Sequence, residues 1–198
     1  MNTYQPFSVI GFHSCEREVG LDVLNAKAEL KQSRNNWDWL ADGSYFWEQN
    51  PLRALQYAEE SAAGVQFNKK AITVPFVLGA IIDLGNCLNL LESSSLQLLT
   101  NAYTGLQKVT EDAGRLIPVN KGNNRALDCA VIRYIHNSNE RSGDLPFDTV
   151  RSAFHEGEEA YPGAIFSSRL HIQICVRNPE CIKGYFLPRP VELYNPNL

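Results

Sequence analysis

Residues 38–60 read DWLADGSYFWEQNPLRALQYAEE. Asn35, Asn36 and Asp38 favour turns, so residues 33–42 are expected to form a loop. Gly43 then allows a close turn, and Ser44–Trp47 predicts a short strand. A strand alternates its faces, which places Tyr45 and Trp47 on one side and Phe46 on the other. Asn50-Pro51 predicts a helix start, with asparagine as the cap and proline at the first helical position. The helix should run to about Ser61 and bury Leu52, Leu55 and Ala58 or their neighbours. A buried strand needs apolar surface but has no need of a tyrosine hydroxyl. Tyr45 on the strand and Tyr57 one helix later therefore suggest a flat group held between rings, because offset stacking favours such pairs.

Outward from this stretch, Ser8–His13 predicts a first strand, and Arg17–Gln32 a helix with Leu21, Leu24 and Ala28 on one face. Thr73–Asp83 is a nearly continuous apolar, β-branched run and predicts a buried strand. Helices are expected over Ser94–Thr110 and Arg125–His136, with a shorter one over Phe147–Ala153. Leu170–Val176 and Cys181–Leu187 predict a strand pair joined by Arg177–Glu180, and Pro188 and Pro190 end the regular structure. There is no repeat and no linker, so residues 1–198 are expected to form a single α+β domain, with a helical insertion over roughly 94–153.

The net charge of −4 provides no general attraction to nucleic acid or to an anionic membrane. No apolar run is long enough for a membrane helix, and no secretory leader is visible at the start. Five scattered cysteines without a C-x-x-C pair fit reduced thiols, so the reading is a cytoplasmic protein without zinc or another metal. Absence of G-x-S-x-G, of a Walker loop and of G-x-G-x-x-G disfavours a serine hydrolase, a P-loop enzyme and a Rossmann use of NAD.

The order of residues carries more information than any one of them. His13-Ser14, then Gly43-Ser44-Tyr45-Phe46, then a helix with Tyr57 resembles the nicotinamide pocket of ADP-ribosyltransferases of the diphtheria-toxin and poly-ADP-ribose polymerase type. The resemblance covers the N-terminal stretch through the Tyr57 helix and the C-terminal stretch from the glutamate-bearing loop onward. It implies a split β-sheet core with helices inserted between N-terminal and C-terminal strands. It also implies NAD as the substrate. His13 would hold the adenosine ribose, Ser14 would offer its backbone to the carboxamide, and Tyr45 and Tyr57 would stack on nicotinamide.

That family has a glutamate near the start of a C-terminal strand. Here His171 and Gln173 stand there, on one strand face by the period of two. A carboxylate could instead arrive from FHEGEEAYPG (residues 154–163), which offers Glu156, Glu158 and Glu159. Glu156, His171 and Gln173 are the candidate catalytic residues. Lys69, Lys70, Arg169, Arg177 and Lys183 could line a substrate groove.

The implied activity is transfer of ADP-ribose to a macromolecule, either protein or nucleic acid such as RNA. The implied setting is a toxin or phage-defence effector restrained by a cognate antitoxin, with no membrane partner. Two further readings stand beside it. One is a catalytically silent protein of the same fold that binds a nucleotide or a partner protein. The other is NAD hydrolysis with water as acceptor.

Overall fold

The computed structural model describes residues 8–65 and 72–198. Among the described residues, seven strands form one open sheet: β1 (Ser8–Glu16), β2 (Ser44–Glu48), β3 (Pro75–Asp83), β4 (Cys87–Asn89), β5 (Thr149–Phe154), β6 (His171–Val176) and β7 (Ile182–Phe186). Their spatial order is β4-β5-β6-β2-β1-β3-β7. All neighbours are antiparallel except β4 and β5, which run parallel. The helices described beside the sheet are α1 (Arg17–Leu24), α2 (Pro51–Ala62), α3 (Ser93–Asp112), α4 (Ala126–Ser142) and α5 (Val191–Tyr194). The architecture is α+β, as the sequence predicts.

Register sorts the core by face. Phe12 pairs with Trp47, and Trp47 with Gln173, while Tyr45 pairs with Cys175 and Cys175 with Val150. These residues share the face under α2 and α4. Phe46, Ala80, Ile82, Ile174 and Val176 pack together on the opposite face. Cys15, Phe76 and Leu78 continue that second face beneath α1, against Val23. Gly20 is needed in α1 because a Cβ there would stand 2.2 Å from the Phe76 ring.

The predicted strand and helix of residues 44–61 form as expected. Asn50 caps α2 by accepting the Arg53 backbone N–H at 3.0 Å, and Pro51 occupies the first turn. The buried stripe differs by one position from the reading. Leu52 is exposed, whereas Arg53, Ala54, Leu55 and Ala58 are buried.

Four expectations are corrected. The first helix stops at Leu24 rather than Gln32. There Asn25 turns its side-chain amide onto the Leu21 carbonyl, and Ala26 takes a left-handed backbone conformation. Residues 147–153 are not a helix. Thr149 and Val150 begin β5, which has pairing partners on both sides, so ladder bonds override local periodicity. That strand also shortens the helical insertion expected over 94–153. β6 and β7 are not a hairpin. β6 is already flanked by β5 and β2, so the chain crosses through a 3₁₀ turn, Pro179–Cys181, to the free edge of β3. Cys181 packs under the sheet on the way. Pro188 and Pro190 do not end regular structure, because α5 follows. Asn195 then completes the β3 edge, accepting the Val77 N–H and donating to its carbonyl at 2.7 and 3.1 Å.

His136 on α4 is half-buried, and both of its ring nitrogens are buried without a hydrogen-bond partner among the described residues. Burial, and secondarily the Arg177 charge, push its pKa down to about 3. The folded value lies below the ordinary 6.5, so its contribution to stability is fully present above about pH 6.5 and is lost as pH falls toward 3. Burial also lowers His13 and His171. Urea midpoints are expected to fall steadily from pH 7.5 to 4.5, and His136→Phe to flatten that slope. An unchanged slope in the variant would show that the ring is protonated at no cost.

Candidate functional site

Arg53, Tyr57 and Glu60 stand at positions i, i+4 and i+7 of α2, which places them on one helix stripe. The stripe faces Trp47 of β2. The Trp47 and Tyr57 rings lie 5.0 Å apart, tilted by 48°. The Arg53 guanidinium sits over Trp47, its Cζ 5.8 Å from the ring centroid. This is a cation–π geometry. One Arg53 Nη donates to Glu156 Oε2 at 2.6 Å, and the other stands 4.0 Å from Glu60. Arg169 pairs with the second oxygen of Glu60 at 2.7 Å.

Glu156 and Arg169 are the two ends of the segment between β5 and β6. That segment closes on itself: Ser168 N–H donates to the Glu158 carbonyl and Ala160 N–H to the Phe166 carbonyl. Its ends are therefore clasped to α2 by crossed ion pairs, Arg53–Glu156 and Glu60–Arg169. Of the three glutamates proposed from this loop, only Glu156 reaches α2. Glu159 caps the loop's own turn by accepting the Gly163 N–H, and Glu158 is exposed.

His171 opens β6 on the same face, its ring 6.4 Å from Trp47 and 6.0 Å from Phe154. Its Nδ1 donates to the Arg169 carbonyl at 2.7 Å and stands 4.0 Å from Glu156. That bond places a proton on Nδ1, so in the neutral ring the lone pair is on Nε2. Burial holds the imidazole below its ordinary pKa, opposed by the Arg169 carbonyl and the Glu156 charge.

Four buried polar atoms around this corner have no hydrogen-bond partner among the described residues: Trp47 Nε1, Arg53 Nε and one Nη, and His171 Nε2. Each such group costs about 1–3 kcal/mol if left unpaired.

The structure thus brings Tyr57, Glu156 and His171 together. Gln173 is two positions along the same face, opposite Trp47 and Ser152 in the two ladders. The remaining candidates do not join them in one pocket. The Tyr45 ring packs toward Leu40, Cys129 and Cys175. Its hydroxyl donates to the Ala41 carbonyl at 2.6 Å and accepts the Leu40 N–H at 2.9 Å, closing the preceding turn. Burial raises its pKa.

His13 lies on the opposite face of the sheet, its ring 5.6 Å from that of Phe46. It is one residue out of phase with Phe12, so it points the other way. Its Nδ1 donates to the Tyr45 carbonyl at 2.7 Å. Ser14 shares the α2 face, but its hydroxyl donates to the Ala54 carbonyl. A clamp made of His13, Tyr45 and Tyr57 is therefore not assembled; Trp47 is the ring that Tyr57 meets.

The proposed basic groove is dispersed. Arg177 donates to the Phe147 carbonyl, Lys183 to the Glu180 carbonyl, and Arg169 is held by Glu60. Lys69 and Lys70 lie outside the described residues. Among the described residues, no cluster of His, Cys, Asp and Glu has the makings of a metal site, and no helix is long and apolar enough to cross a membrane.

Arg53 and Glu60 escape a sequence reading centred on tyrosines, Arg169 enters it only as a groove cation, and Trp47 only as a neighbour of Tyr45 on one strand face. One signal was available: Arg53 is four residues before Tyr57 and seven before Glu60. A mostly apolar cavity of about 400 Å³ adjoins the site, walled by Trp39, Leu99, Tyr103, Ile132 and Phe154. Phe154 belongs to both, since its ring is also 4.7 Å from Trp39.

Compared with protein-family models, curated proteins and solved structures, the chain matches none.

Proposed function

We propose that this chain is an NAD-consuming ADP-ribosyltransferase with an ADP-ribosyltransferase-like core, whose working groups surround Trp47. One observation carries the reading. A carboxylate, Glu156, comes from the loop before β6 and stands beside His171, under the helix that bears Tyr57. Where the resembled family has a strand glutamate, this chain has a loop glutamate brought to the same strand end.

In this reading the nicotinamide ring lies against the Trp47–Tyr57 wall. Glu156, oriented by Arg53, favours the positive charge that develops on the ribose as the glycosidic bond lengthens. Gln173 hydrogen-bonds a ribose hydroxyl. The acceptor class is protein or nucleic acid, and the cellular role is that of a toxin or defence effector held by an antitoxin in the cytoplasm.

The test is incubation of the purified chain with adenylate-labelled NAD, alone, with cell extract and with total RNA. Nicotinamide release is expected, and Glu156→Gln is expected to reduce it by about a hundredfold or more. Tyr57→Ala should raise KM for NAD more than it lowers kcat. Absence of nicotinamide in every arm would reject the proposal.

A specific feature favours the silent alternative. The Glu156 side chain is only 22% exposed and is matched by a buried cation, as a purely structural latch would be. NAD binding in calorimetry without turnover would select that reading.

A further inference from the structure

We infer that the cavity between α3, α4 and β5 is a binding site for a small aromatic amine in its protonated form. The inference goes beyond the NAD reading and is independent of it, since Trp47, Arg53, Tyr57, Glu156 and His171 do not line this cavity.

A helix crossing builds the space. α3 and α4 approach closely where Gly105 meets Tyr134, and a Cβ on Gly105 would stand 2.6 Å from the tyrosine oxygen. N-terminal of that crossing on both helices, Leu99 and Tyr103 of α3 and Ile132 of α4 wall about 400 Å³ together with Trp39 and Phe154. Leu40 and Ile132 form a buried floor, whereas Leu96, Thr100, Tyr103 and Asp128 form an exposed rim. The cavity therefore opens to solvent. Its size lies within the usual range for small-molecule pockets, about 300–1,000 Å³.

The lining selects the ligand. Trp39, Tyr103 and Phe154 contribute rings, and those of Trp39 and Phe154 lie 4.7 Å apart, tilted by 58°. Such walls suit a flat aromatic body packed against a face or an edge. No Lys, Arg or His side chain lines the cavity, so a phosphate or carboxylate would enter without a counter-charge. The one charged side chain in the lining is Asp128, which has no ion-pair partner among the described residues. Arg125, three residues earlier, is drawn onto the Trp39 ring instead, its Cζ 5.5 Å from the centroid. Thr100 donates its hydroxyl to the Leu96 carbonyl at 3.0 Å, which leaves its oxygen able to accept. The cavity thus offers a carboxylate, a hydroxyl acceptor and π faces, which an ammonium group on an aromatic body can use together.

Calorimetry on the full chain compares naphthylethylamine with naphthylethanol and naphthylacetate, which carry the same rings with neutral and negative ends. The amine is expected to bind at one site, about tenfold tighter than the alcohol, and the acetate at least about tenfold weaker than the alcohol. Asp128→Asn should cut the amine's advantage by about threefold or more and leave alcohol binding unchanged. Thr100→Trp, at an exposed position on the rim, should fill the opening. It should weaken amine and alcohol alike by about tenfold or more while the thermal midpoint persists. Equal binding of amine and alcohol, tightest binding of the acetate, an amine advantage unchanged in Asp128→Asn, affinities unchanged in Thr100→Trp, or no binding of any probe would overturn the inference. Nicotinamide release, measured separately, is what decides the NAD reading.

Discussion

Phe46→Ala is expected to cost about 3–5 kcal/mol, the usual range for truncating a fully buried phenylalanine. Phe46 has no exposed surface and packs against Ala80, Ile82, Ile174 and Val176 from neighbouring strands. The surroundings cannot close on the hole, because they are ladder-bonded strands whose spacing is set by the backbone. The approach is so tight that a Cβ on Gly11 would stand 2.8 Å from the Phe46 Cβ. Phe46→Leu keeps most of the volume and should cost less than half as much. Urea unfolding followed by circular dichroism checks both. A loss below about 1 kcal/mol for Phe46→Ala would mean that this face is not the core.

Arg53→Ala is the second large effect, at about 3–5 kcal/mol, because removing one partner leaves Glu156 facing a buried corner without its cation. The Arg53 side chain is 4% exposed and touches Trp47, Glu60 and Glu156. Replacing both partners, in Arg53→Met with Glu156→Leu, should cost much less than the sum of the two single changes. The desolvation of two charges is then removed together with their attraction. A double-mutant cycle in urea measures this directly. Additive losses would show that Arg53 acts through packing on Trp47 alone. The same double variant should abolish nicotinamide release, since the carboxylate is lost; this separates what the pair does for the fold from what Glu156 does for chemistry.

The proposed chemistry depends on a device that has no counterpart in the motif of the resembled family. The loop before β6 supplies a carboxylate at one end and an arginine at the other, and both are caught by one helix stripe. This lets a loop residue stand at a defined place beside a strand, which a free loop end would not do. Phe154, shared between the adjoining cavity and the His171 ring, ties the same corner to α3 and α4.

Local chemistry determined a good deal by itself. The alternation in Ser44–Glu48, the Asn50-Pro51 helix start and the β-branched run ending at Asp83 were legible, because period and capping are written in neighbouring residues. The loop glutamates were legible as candidates, because glycine and proline around them announce a shaped segment. Other features depended on partners far along the chain. Residues 149–154 became a strand only because β4 and β6 flank them. β7 went to the edge of β3 because β6 had no free side. Which glutamate reaches α2 followed from the Arg53–Glu156 ion pair across more than a hundred residues, and which face of the sheet His13 takes relative to Tyr57 followed from strand register. Register is set by pairing between segments distant in the chain, as when Phe12 meets Trp47. A shift of one residue turns every side chain to the other face, and nothing in the neighbouring residues reveals which pairing will win.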